Sequence, residues 1–166
     1  SAPQRPIELA DKFVDDNDEN FDKEFDKIVL VFDLDIYESK PNDFVTVFND
    51  AKEKGYLLAL TNPSFELFLL LHKDRSLIDI INPVEEDIVK NEWVIRDDGS
   101  RKRFISNMFY ETFGFDSKSN SQISNFVFDM NIAITQEKNI NQDVENSQHI
   151  LTSNVGKIIE NIMNNE

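Results

Sequence analysis

Apolar residues run unbroken from Ile28 to Phe32 and give way to Asp33 and Asp35, a pattern that predicts a buried strand ending in two acids. Side chains alternate across a strand, so the two carboxylates are expected on one face. After a loop over Ile36 to Lys40, Pro41-Asn42-Asp43 opens a helix in which Phe44, Val47, Phe48 and Ala51 recur at helical spacing. Lys52 and Lys54 suit its negative end, and Gly55 is a natural stop. Tyr56 to Leu60 then reads as a second buried strand, and strand, helix, strand with short loops predicts a parallel βαβ unit.

Beyond it, Asn62-Pro63 predicts a capped helix start, and Phe65 to Leu71 is apolar on every side except at Glu66, as in a deeply buried helix. Arg75 to Ile81 and Val84 to Asn91 read as short helices, and Glu92 to Ile95 as a short extended segment before the turn Asp97-Asp98-Gly99-Ser100. From Lys102 the period is helical through Ile105, Met108, Phe109 and Phe113, and again through Ile123, Val127, Met130 and Ile134. Thr152-Ser153-Asn154 predicts the cap of a last helix carrying Val155, Ile158, Ile159, Ile162 and Met163. Upstream of the first strand, Ser1 to Phe13 predicts a short helix with Ile7, Ala10 and Phe13 or Val14 on one face, then an acidic loop over Asp15 to Asp26. The expected fold class is α/β: a small, mainly parallel sheet flanked by helices, with a helical C-terminal half.

Composition narrows the function. A chain of 166 residues fits one domain, and 14 Phe against 4 Gly favour a densely packed body. Net charge is −15, so phosphate backbones are repelled unless bases are concentrated locally or supplied by a partner. The best basic cluster is Arg96 with Arg101-Lys102-Arg103, interrupted by Asp97 and Asp98, and it reads as a solvated turn. With no cysteine, disulfides and thiolate metal sites are excluded. No apolar run is long enough to span a bilayer, and no leader begins the chain, so a cytoplasmic protein is expected.

Candidate chemistry rests on carboxylates. Magnesium prefers hard oxygen ligands and commonly uses one or two carboxylates plus waters and substrate phosphates. Asp33 and Asp35, at the rim of a buried strand, suit Mg²⁺ or Mn²⁺ on that ground. Open α/β sheets keep their ligands beyond the carboxyl ends of such strands. Glu66 is expected one turn into its helix, on the face of Asn62, with the helix dipole as its partner and the acids within reach. His72 closes the same helix, where the dipole favours a protonated imidazole, and reads as a structural histidine.

Two families share these motifs. Val31-Phe32-Asp33-Leu34-Asp35 resembles the nucleophile strand of haloacid-dehalogenase-like phosphotransferases, and Lys54 to Asn62 resembles their second motif, which implies a phosphatase with Asp33 as nucleophile and Asp35 as acid/base. Ile36-Tyr37 stands where that family has Gly-Thr, and about 30 residues between the motifs leave no room for its usual cap. The second resemblance is longer. The D-x-D strand, a helix, then Leu60-Thr61-Asn62-Pro63-Ser64-Phe65-Glu66-Leu67-Phe68-Leu69-Leu70-Leu71-His72 resembles the RloB-like family, whose members carry S-N-P-x-F-E-x-W-L-L-L-H. Thr61 replaces Ser, and Phe68 replaces Trp. The tail Leu151 to Ile159 and the opening Ser1-Ala2-Pro3 also resemble that family.

The RloB-like resemblance implies a Toprim-related domain with Asp33 and Asp35 as the metal pair and Asp33, Asp35 and Glu66 as catalytic candidates. It implies a role in phage defence by abortive infection, a magnesium-dependent nuclease acting on nucleic acid, and an ATPase partner protein. Toprim-type sites also use a glutamate within a Glu-Gly motif on an earlier strand, which does not precede Asp33. The expectation is therefore a domain lacking an N-terminal strand, with an exposed sheet edge that another chain could cover, a second copy in a homo-oligomer among them, or a non-catalytic defence subunit.

Overall fold

The structure is a computed structural model that describes residues 5–22 and 24–164; the opening Ser1-Ala2-Pro3 lies outside the described residues. The predicted βαβ unit forms from β1 (Val29–Asp33), α2 (Pro41–Lys54) and β2 (Leu57–Asn62), preceded by α1 (Arg5–Asp16). β1 and β2 are parallel, with Asp33 opposite Thr61. In α2, Phe44, Val47 and Ala51 are buried, and Gly55 ends the helix in the left-handed conformation at φ 73°. A Cβ at that φ would meet the following carbonyl, which is why glycine stands there.

β2 is the central strand, and three of its five buried residues alternate between two cores. Leu58 and Leu60 join Leu30, Phe32, Leu34, Tyr37 and the buried faces of α1 and α2. Ala59 joins the opposite core. That second core is built by α3 (Glu66–Leu70), α4 (Glu85–Lys90), α5 (Phe104–Phe113), α6 (Asn120–Ile123), α7 (Met130–Glu137) and α8 (Val155–Asn164). Leu67, Leu70, Leu71, Ile81, Ile88, Ile105 and Phe109 are fully enclosed there, so the helix apolar on every side is a central one, as expected. α1 is fastened to the βαβ unit by Asp11, which accepts from Tyr56 Oη at 2.7 Å and pairs with Lys54 at 3.0 Å.

Several local expectations are corrected. β1 ends at Asp33, and a 3-10 turn over Leu34–Tyr37 carries Asp35, so strand alternation does not place the two acids. The turn forms because Leu34 and Tyr37 both bury into the first core, a spacing of three that a strand cannot satisfy. Thr152–Ser153 is not a helix cap but β5, antiparallel to β2. The sheet is therefore mixed, in the order β1-β2-β5. Asn154 follows with its side chain turned to the sheet, accepting from Leu60 N–H and donating to the Leu58 carbonyl, both at 2.7 Å. Val127, expected on a buried helical face, lies in a 3-10 turn and is exposed. Among the described residues nothing pairs the outer side of β1, whose Val31 is 61% exposed.

The basic cluster is corrected most. Arg101–Arg103 is not a solvated turn but β4, paired antiparallel with β3 (Trp93–Ile95) in a hairpin closed by the predicted Asp97 to Ser100 turn. Alternation splits its cations. Arg96 and Lys102 approach Asp116 at 3.6 and 3.7 Å, while Arg101 and Arg103 lie over the Trp93 ring.

Candidate functional site

Asp33 and Asp35 leave the carboxyl end of β1 where the chain turns into the 3-10 segment, and the end of β2 supports both. Thr61 Oγ1 donates to Asp33 Oδ1 at 2.9 Å, and the Asp35 N–H donates to the Pro63 carbonyl at 3.1 Å. Burial pushes the Asp33 carboxyl up to about 6, with the neighbouring charges of Asp35 and Glu66 adding to it and the Thr61 hydroxyl opposing it. Asp35 is also raised, first by burial; Arg103 opposes this, and Glu66 and Glu38 add to it. The charges of Asp35 and Glu66 thus act on Asp33, and that of Glu66 on Asp35.

Glu66 reaches them by a different route from the one predicted. Asn62 ends β2 rather than capping α3, and its amide donates to the Ser147 and Ile150 carbonyls at 2.8 and 2.7 Å, fixing the loop before β5. The two residues share no helical face, because a turn through Pro63 and Ser64 separates them. Glu66 is the first residue of α3, and three serines hold it: Ser64 at 2.6 Å, Ser106 at 3.0 Å and Ser117 at 2.8 Å. Burial works to raise its pKa, but the bonds from Ser64, Ser117, its own N–H and Ser106 outweigh that and hold it below the usual carboxylate range. Glu66 is a fixed, ionised charge whose oxygens are already occupied. Ser106 and Ser117 lie 40 and 51 residues away, and no sequence spacing signalled them.

The hard-oxygen character of Asp33 and Asp35 suits a divalent cation, and so does their mutual repulsion in a half-buried place, which a cation relieves. Among the described residues no group of three or more acidic or histidine side chains is arranged to hold a metal ion. A cation here therefore relies on the aspartate pair completed by water or substrate oxygens, the manner in which magnesium is commonly bound.

His72 stands apart from the acids. Its Nδ1–H donates to the Phe68 carbonyl at 3.0 Å, and its ring stacks on Phe126 and meets Phe68 edge-on. Nε2 is buried with no partner, and burial pushes the pKa down, so the ring is a neutral core residue rather than the protonated cap expected. The unfolded chain takes up this proton near pH 6.5 and the folded chain resists it. Stability is thus present above that pH and declines as the pH falls below it. His72→Phe is expected to flatten that part of the acid limb in a series of thermal melts between about pH 5 and 8, with little change at neutral pH.

A cleft of about 700 Å³ opens from the Asp35 side, between the 3-10 turn and the β3–β4 hairpin, with Glu38, Trp93, Arg101, Arg103 and His149 among its walls. Arg103 closes the side nearest the acids, donating to the Asn91 carbonyl at 3.0 Å and pairing with Glu38 at 3.4 Å. No helix among the described residues is long and apolar enough to cross a membrane. No curated protein and no solved structure matches the chain. The model of the RloB-like protein family matches residues 1–162, taking in the strand of Asp33, the Asn62-to-His72 segment and most of the last helix, and the chain belongs to that family.

Proposed function

We propose that this chain is a phage-defence protein whose Asp33–Asp35 rim binds Mg²⁺ or Mn²⁺ and supports cleavage of a phosphodiester. One observation carries the reading: two half-buried aspartates with raised pKa values stand at the carboxyl end of β1, beside an ionised Glu66 that three serines hold in place. Beyond the carboxyl end of a strand is where open α/β sheets place ligands. Asp33 and Asp35 would hold the cation, which when bound lowers the pKa of a coordinated water and neutralises charge on the scissile phosphate. Glu66 keeps the field of the site negative, and Thr61 fixes the rotamer of Asp33.

A second reading, a non-catalytic subunit that binds an ATPase partner, is favoured by the engagement of the Glu66 oxygens by three serines, which leaves the aspartate pair rather than three carboxylates for a cation. Calorimetric titration separates the two. Saturable binding of Mn²⁺ or Mg²⁺ is expected, and Asp35→Asn is expected to weaken it at least tenfold, a loss of about 1.4 kcal/mol or more. Binding that ignores both aspartates would sink the enzymatic reading. Where binding holds, cleavage of oligonucleotides against hydrolysis of a phosphomonoester distinguishes nuclease from phosphatase.

A further inference from the structure

The β3–β4 hairpin carries a feature at odds with a chain of net charge −15. Strand alternation brings Trp93, Arg101 and Arg103 to one face, with both guanidinium groups over the indole, 4.9 and 4.8 Å from its centroid. The cations of the opposite face are used internally. Arg96 stacks on Tyr110 at 4.2 Å, bonds Asn107 and approaches Asp116, which Lys102 also approaches. Arg101 makes no ion pair among the described residues, and Arg103 pairs only with the exposed Glu38. Trp93 is 51% exposed, although a half-exposed tryptophan contributes little to a core. This face borders the cleft of about 700 Å³ whose other wall carries Asp35, a size within the range of small-ligand sites.

We infer that the Trp93–Arg101–Arg103 face is a binding platform for single-stranded nucleic acid, which lays a base on the stacked planes and delivers the adjoining phosphate past Arg103 to Asp35. Bases stack on indole rings and on guanidinium planes alike, and guanidinium N–H groups not engaged by the ring pair with phosphate oxygens. A duplex is disfavoured on two grounds. Its bases present no free face, and its closely spaced charge would meet the acidic surface around so small a basic patch. The inference supplies a substrate class for the phosphodiester reading above and rests on it. Its binding step needs no metal, however, and can be measured without one.

Trp93 is the only tryptophan of the chain, so its fluorescence reports the platform directly. Titration of the whole chain, in EDTA and low salt, with oligothymidylate or oligouridylate of about a dozen nucleotides is expected to quench that fluorescence saturably. Anisotropy of the labelled strand should rise in step. Arg101→Glu is expected to weaken binding at least tenfold while the circular dichroism spectrum stays unchanged, since Arg101 holds nothing else in place. Arg103→Ala should lower the salt dependence by about one phosphate contact. Because the titration is made in EDTA, loss of strand binding is read separately from loss of metal binding. Preference for either oligomer supports the inference and identifies the sugar. Absence of quenching, an Arg101→Glu variant that binds like the parent, or equal binding of a duplex or a free mononucleotide would overturn it.

Discussion

Replacing Glu137 with alanine is expected to lower stability by about 3–5 kcal/mol, read as a shift in the urea midpoint at constant slope. Glu137 is the last residue of α7 and is 0% exposed. Its carboxylate collects four donors: the Ser153 hydroxyl, the Gln142 amide at 3.0 Å, and the backbone N–H groups of Gly156 at 3.0 Å and Lys157 at 2.9 Å. The last two are first-turn donors of α8 that have no partner within their own helix. Glu137 therefore caps α8 from another helix and fastens it to β5. Alanine leaves three or four of these donors without an acceptor, at about 1–3 kcal/mol for each that stays dry, and local relaxation recovers part of the sum. Set against a typical total of about 5–15 kcal/mol, the loss is large enough to threaten folding. Glu137→Gln keeps the shape and one acceptor oxygen, so its cost should be about half.

Gly156 provides a control. A Cβ there would come within 2.8 Å of Glu137 Oε2 and 3.2 Å of the Ile134 Cα, so Gly156→Ala is expected to cost about 1–3 kcal/mol. In the double variant the shortest clash is gone, and the two costs should sum to less than their separate values. A Glu137→Ala cost below about 1 kcal/mol would show that the junction is held by packing alone.

Glu137 also marks where sequence reading stops. It sits in the polar stretch Thr135-Gln136-Glu137-Lys138 and looks like one more surface acid, because its partners lie up to 20 residues away and two of them are backbone amides. The same reasoning applies to Glu66. Its burial was legible from the apolar residues around it, but Ser106 and Ser117 were not, since hydroxyls carry no periodicity. The βαβ unit was legible because strand and helix periods alternate cleanly between Ile28 and Leu60, with a stop at Gly55. The Thr152-Ser153-Asn154 segment misled, because residues that cap helices also form short strands. The free edge of β2 claimed two of them as a strand, and the Leu58 and Leu60 backbone groups claimed the amide of the third. Asp35 was placed near Asp33 for the wrong reason: a turn, rather than strand alternation, brings it there.

Asp33→Asn is expected to abolish metal binding and, at neutral pH, to make the protein more stable than the parent by about 1–3 kcal/mol. The carboxyl is half-buried beside Asp35 and Glu66, and its pKa stands near 6 in the folded chain against an ordinary value of 3.8 in the unfolded one. Between those values the folded chain holds a proton that the unfolded chain has released. Stability is therefore fully present below about pH 4 and is lost as the pH rises through about 6. Asparagine keeps an oxygen that can accept from Thr61 Oγ1 and carries no charge, so it escapes that loss. The advantage should shrink as the pH is lowered and vanish near pH 4, where Asp33 is itself protonated, and urea unfolding at a series of pH values tests both the size and the window. A cation at Asp33 and Asp35 acts in the opposite sense, stabilising only the parent in proportion to its occupancy. Manganese should therefore close the gap between parent and variant at pH 7, and a gap that manganese leaves untouched would assign the strain at Asp33 to the fold rather than to a metal site.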